Sequence, residues 1–273
     1  MRLIDIGANL THKSFDDDRD EVIRRAADAG VDRMILTGAS ERGSKDAMSL
    51  AQSYPETMYS TAGVHPHHAA DYNDALHRTL AELLANPEVV AVGECGLDYF
   101  RDFSPRATQR EAFQRQLELA QEYHLPLFLH QRDAHDDFAG ILRPVLPHIP
   151  RGVAHCFTGD ANALMEYLDM GLYIGITGWI CDERRGAHLL DIAGSIPLDR
   201  LMIETDSPYL LPRSLDPKPK SRRNEPMYLR EVLRVLAQAM GQSEEIVAAA
   251  TTRNAERFFA LNEADAQETF EIE

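Results

Sequence analysis

Hydrophobic positions along the chain fall into short runs separated by longer stretches with helical spacing. Leu3–Ile6 is a compact apolar run and predicts a strand. Asp17–Ala29 follows, with Val22, Ile23, Ala26 and Ala27 on one helical face and a stop at Gly30. The same alternation then repeats. Strands are predicted at Arg33–Leu36, Tyr59–Val64, Val89–Gly93, Leu127–His130, Gly152–His155, Leu172–Ile176 and Leu201–Ile203. Between and after them, helices are predicted at Glu41–Ser53, Ala75–Ala85, Arg106–Tyr123, Asp136–Leu146, Ala161–Met170, Arg184–Ala193 and Tyr228–Met240. Two short helices, Ser243–Ala250 and Thr252–Ala260, end the pattern.

Strict βα alternation implies a parallel sheet with helices outside it. Eight such units in about 250 residues predict a closed (β/α)8 TIM barrel, a single α/β domain over residues 1–262. An open doubly wound sheet is the alternative. Residues 263–273 are acidic and poor in apolar groups, and are expected to fray.

Composition changes this picture in three ways. No stretch approaches the ~20 apolar residues of a membrane span, and the N-terminus is too short and polar for a signal peptide. Cys95, Cys156 and Cys181 form an odd set without paired spacing, which fits a reducing cytoplasm. The net charge of −16 argues against a protein that coats nucleic acid. It argues less against an enzyme that handles a strand end transiently, with bound cations supplying local positive charge.

Candidate chemistry clusters where strands end. His65 and His67 follow strand three, Glu94 follows strand four, His130 ends strand five, His155 ends strand six, and Glu204 and Asp206 end strand eight. Each alone has a plain structural explanation, such as a helix cap or a turn. In a barrel these ends converge on one face, where active sites lie. Carboxylates buried beside imidazoles need compensation, and a divalent metal supplies it. Glu94, His130, His155 and Asp206 are therefore read as metal ligands. If strand eight continues, its two-residue period puts Glu204 and Asp206 on one side. By the same alternation Cys95 and Cys156 should face away and act as packing residues.

These residues lie in GVHPHHA (63–69), VGECGLDYFR (92–101), LPLFLHQRDA (125–134), AHCFTG (154–159), IETDSPYL (203–210) and RRNEPMYL (222–229). In these stretches, which span most of the chain, it resembles the TatD-type metal-dependent hydrolases of the amidohydrolase-like barrel superfamily. The resemblance implies a TIM barrel, a divalent-metal site and nuclease activity, most closely 3′→5′ exonuclease action on single-stranded DNA or RNA. The wider family carries His-x-His on strand one, where this chain has Gly7 and Asn9. That departure resembles the TatD subgroup itself and argues against a tightly held dinuclear zinc centre. Mg²⁺ is the expected cation, with Mn²⁺ or Zn²⁺ as alternatives; Asn9 is a candidate carbonyl ligand.

Under that resemblance, Asp206 is the candidate general base, and Glu204 a group for a second, substrate-borne metal. His65 and His67 would donate hydrogen bonds to the phosphate. The loop PRSLDPKPKSRRNEP (212–226) is the most basic feature, and Arg213 and Arg222 are candidate phosphate contacts. Tyr99, Phe100, Phe157 and above all Trp179 are candidates for base stacking. A monomer is expected, since no heptad is visible. Two other functions remain open at this stage: an amide or ester hydrolase on the same scaffold, and a non-enzymatic quality-control scaffold with a vestigial site.

Overall fold

The structure, a computed structural model, describes residues 1–262, so the expectation for the tail lies outside the described residues. Eight parallel strands follow one another around the sheet in chain order: β1 Leu3–Ala8, β2 Val31–Leu36, β3 Met58–Ala62, β4 Val89–Asp98, β5 Leu127–Arg132, β6 Gly152–Ala154, β7 Tyr173–Ile176 and β8 Leu201–Ile203. The helices are α1 Arg19–Asp28, α2 Glu41–Ser53, α3 Asp74–Leu84, α4 Arg106–Glu122, α5 His135–Leu142, α6 Ala161–Asp169, α7 Ala187–Ile192, α8 Leu229–Met240 and α9 Glu244–Phe259. The sheet closes through a parallel bridge between Ala8 and Ser207. Asn9 N donates to Ser207 O and Asp206 N donates to Gly7 O, each at 2.8 Å. The barrel is the expected one.

Period-2 alternation sorts the strand residues into two apolar clusters. Ile4, Ile6, Ile35, Ala91, Phe128, Val153, Tyr173 and Met202 pack with Ala255, Phe258 and Phe259 of α9. Their strand neighbours, such as Leu127, Leu129, Ala154, Ile174, Leu201 and Ile203, join the larger cluster under the outer helices. The first cluster is the barrel lumen, and α9 closes its floor.

That helix corrects the sequence reading, which split it at Ala250–Thr252. Thr251 Oγ1 donates back to Val247 O at 2.9 Å, so its hydroxyl joins the helix instead of breaking it. Ser243 caps the single long helix.

One buried carboxylate fastens the seam. Asp5 is fully buried and accepts from Thr205 N at 2.9 Å, Thr205 Oγ1 at 2.5 Å and Gly7 N at 3.2 Å. Asp5→Ala would leave these donors unpaired, so it is expected to cost about 3 kcal/mol of stability, read by denaturant titration. A loss below about 1 kcal/mol would mean that the seam holds without it.

Candidate functional site

At the C-terminal mouth of the barrel lies a cleft of about 1220 Å³. His65, His67, Glu94, His130, His155 and Asp206 all line it. Glu94 is at its centre. The pairing of β4 with β5 shifts register between Val92 and Cys95, so Gly93 and Glu94 form a bulge that turns the carboxylate into the mouth. Gly93 lies at φ +134 with Phe128 O packed where a Cβ would stand, so glycine is required there.

Glu94 Oε1 stands 3.0 Å from His130 Nδ1 and 3.4 Å from both His65 Nε2 and His155 Nε2. Burial opposes ionisation of Glu94, but the surrounding imidazoles override it and hold the carboxyl well below its usual range. His65 is held well below the usual imidazole range by burial, despite Glu94. Burial would also lower His155, yet Glu204 and Glu94 keep it well above that range. Asp206 is pushed up to about 7 by burial, with Glu94 and Glu204 adding to the effect.

Donor atoms of His65, Glu94 and His130 lie close enough to share a cation, as do those of His155, Cys156 and Asp206. His130 Nε2 is buried without a hydrogen-bond partner. Crowded imidazoles around one buried carboxylate fit a bound divalent metal.

Several residues stand elsewhere than the sequence reading put them. Strand eight stops at Ile203, and Asp206 adopts φ +53. Asp206 therefore faces the cleft while Glu204 turns down into the lumen, fully buried. Both Glu204 oxygens are engaged: His155 Nδ1 lies 2.6 Å from Oε2, and Cys156 N donates to Oε1 at 2.5 Å. This corrects the second-metal role for Glu204; it anchors His155 from beneath. The carboxylate nests against Gly7 and Gly175, where a Cβ on either would collide with it. Gly7, the first departure from His-x-His, is thus occupied space. Asn9, the second, donates to Asp206 Oδ1 at 3.0 Å and steadies it.

Arg213 pairs with Glu183 at 3.2 Å, Arg222 is exposed, and neither lines the cleft. Arg223 is tied to Asp18 and Glu225 and stacks on Phe15, pinning the loop to α1. The cleft's arginines are instead Arg101, Arg132 and Arg185. Trp179 does line the cleft, under the Arg185 guanidinium at 4.4 Å. Tyr99 is committed to Asp137 through its hydroxyl at 2.6 Å, and Phe157 is buried. Cys95 is buried in the outer core as expected. Cys156 is not turned away; it adopts φ +47 and lines the cleft. Burial pushes its thiol up to about 12.

Asp98 was missed. It ends β4, is buried, and lies 2.7 Å from His67 Nε2 and 3.5 Å from His130 Nε2. Glu94, Gly96 and Asp98 share strand parity, a signal hidden because the glycines read as a strand end.

A closed parallel barrel with carboxylates and imidazoles gathered at its C-terminal mouth defines a metal-dependent α/β-barrel hydrolase. A family model described as TatD related DNase matches residues 4–260. The 3′-5′ ssDNA/RNA exonuclease TatD of Rahnella sp. (strain Y9602) is 50% identical over 260 residues, covering 95% of this chain and 99% of the relative. Among solved structures, a TatD homologue from Escherichia coli K12 superposes with a TM-score of 0.87 at 29% identity, covering 95% of this chain and 98% of that one. A TatD-family hydrolase from Entamoeba histolytica gives a TM-score of 0.86 at 28% identity, covering 96% and 99%. The chain belongs to the TatD-related DNase family, and with it to the hydrolases of phosphodiester bonds.

Proposed function

We propose that the protein is a Mg²⁺-dependent 3′→5′ exonuclease acting on single-stranded DNA and RNA, with Mn²⁺ or Zn²⁺ as alternative cations. The observation that carries this reading is the cradle around Glu94, whose Oε1 has three imidazole nitrogens at 3.0–3.4 Å. The names of its relatives supply the substrate and the polarity. Arg101, Arg132 and Arg185 offer phosphate contacts in a mouth that also carries Glu94, Asp98, Asp133, Asp136, Asp160 and Asp206, so a polyanionic substrate there relies on a bound cation for charge neutralisation. Against a scaffold with a vestigial site stands the convergence of Glu94, His130, His155 and Asp206 on one cleft; against an amide hydrolase stands the family.

Glu94, His130, His155 and Asp206 would hold the cation. A divalent ion bound there supplies charge neutralisation at the phosphate and acidifies a water molecule. Asp206, which faces the same cleft, would accept the water's proton. His65 and His67 face the same cleft and would donate to phosphate oxygens, His65 only through Nε2, since its Nδ1 accepts from His67 N. Asp98 holds the His67 ring, and Glu204 fixes the His155 tautomer with Nε2 toward the centre. The reading includes a monomer in a reducing, cytoplasmic compartment, supported by the three free cysteines.

The test is digestion of oligonucleotides labelled at either end, with a panel of divalent ions and a chelator control. A 3′ label is expected to leave first, as mononucleotide, and only with metal present. Absent cleavage would remove the nuclease reading, chelator-insensitive cleavage its metal dependence, and early loss of a 5′ label would reverse its polarity.

Cation binding must displace the proton that Asp206 holds below about pH 7. His155, held well above the usual imidazole range, must also give up a proton to bind, so affinity is expected to fall more than tenfold per unit as pH drops below 7. Calorimetry in buffers of different ionisation enthalpy should show proton release, and Asp206→Asn should lower that release by about one proton. Equal affinity at pH 6 and pH 8 would remove Asp206 from the ligand set.

A further inference from the structure

Among the described residues, the exposed aromatic rings gather around one place. Phe100, Phe103 and Tyr209 are 52, 68 and 53% exposed. Phe100 and Tyr209 line the cleft, and Phe103 packs on the cleft-lining ring of His67 with centroids 4.8 Å apart. Exposed large aliphatic side chains such as Met165, Leu190 and Ile246 lie on helices α6, α7 and α9 instead. Hydrophobic hydration opposes leaving two phenylalanines in water.

Phe100 and Phe103 share the connection from β4 to α4, and its backbone is fastened beneath them. Arg101 N donates to Asp98 Oδ1 at 2.8 Å. Ser104 Oγ donates to His67 O at 3.1 Å and accepts from Ala70 N at 3.2 Å. Gln109 Nε2 donates to Ser104 O at 2.8 Å and Asp98 O at 3.2 Å. The rings are thus presented by a fixed loop. The Arg132 guanidinium lies over the Phe100 ring at 3.8 Å, and Arg101 lies 5.6 Å from it. Rings interleaved with guanidinium groups are the pattern that receives a single strand, bases on π-faces and phosphates on cations.

We propose that Phe100 and Phe103, flanked by Arg101 and Arg132, form a nucleobase-stacking platform that feeds a single strand to the hydrolytic centre. The inference rests on the nuclease reading and adds its recognition element. Phe103 is the ring nearer the chemistry. It abuts His67, whose ring centroid lies 4.1 Å from that of His65, and His65 Nε2 is 3.4 Å from Glu94 Oε1. A base on Phe103 belongs to a nucleotide next to the scissile phosphate. Bases inside a duplex already stack on each other, so the platform selects unpaired strands.

The test uses the full chain with Mg²⁺ and two oligodeoxynucleotides, one intact and one abasic at its 3′-terminal positions. The wild-type enzyme is expected to show a KM at least about tenfold lower for the intact strand, the scale of one stacked base. The double variant Phe100→Ala/Phe103→Ala should raise KM for the intact strand by about fivefold to 150-fold per base lost, and bring the two substrates together. Tyrosine at both positions should restore the preference, which a general folding defect would not allow. A double variant that keeps the wild-type preference, or a wild type blind to the missing bases, overturns the platform while leaving the nuclease reading intact. No cleavage of either strand by the wild type removes the nuclease reading and the platform with it.

Discussion

Replacing Glu94 by alanine is expected to lower turnover by at least about 1000-fold, roughly 4 kcal/mol of transition-state stabilisation. The size follows from position. Glu94 is the carboxylate that faces His65, His130 and His155 together, so its loss removes the charge that would draw a cation among them. The substitution also leaves His65, His130 and His155 without the buried carboxylate they face, so some loss of stability is expected beside the loss of turnover. A thermal scan separates the two effects. Wild-type protein should melt at a higher temperature with Mg²⁺ than with chelator, and Glu94→Ala should melt at the same temperature in both. Near-normal turnover with metal present would remove Glu94 from the centre.

Glu204→Gln is the second. A glutamine of equal volume offers one acceptor where two are in use, so either Cys156 N–H or the His155 Nδ1 proton would face an amide NH₂. His155 would also lose the buried counter-charge that favours its protonated form. Changes at groups that orient a metal-ligating histidine cost 10–100-fold in affinity or activity, and a loss of about that size is expected. The variant distinguishes an anchor from a ligand. An anchor's loss weakens metal affinity while the cation, once saturating, restores part of the rate. Unchanged affinity and rate would show that His155 holds its orientation without Glu204.

The barrel itself was legible because lumen and outer-shell residues differ by one position in every strand, and the apolar runs recur with helix-length spacing between them. Glu94, His130, His155 and Asp206 were legible because a barrel brings strand ends together whatever their separation in sequence. The losses came where local signals mislead. Glycines at 93 and 96 look like a strand end, yet they let β4 approach β5 and continue to Asp98. β5 likewise runs past His130, which kept Arg132 out of view although it shares that residue's parity. Glu204 and Asp206 obey the two-residue period only on a strand, and the chain leaves strand geometry between them. The basic loop drew attention by composition, but composition does not tell that Arg223 is spent on Asp18 and Glu225.

The aromatic floor built by Phe258 and Phe259 makes the barrel a blind well rather than a tunnel. Under the proposed exonuclease function, each excised nucleotide would back out through the doorway that admits the strand, so departure of one and advance of the other would take turns.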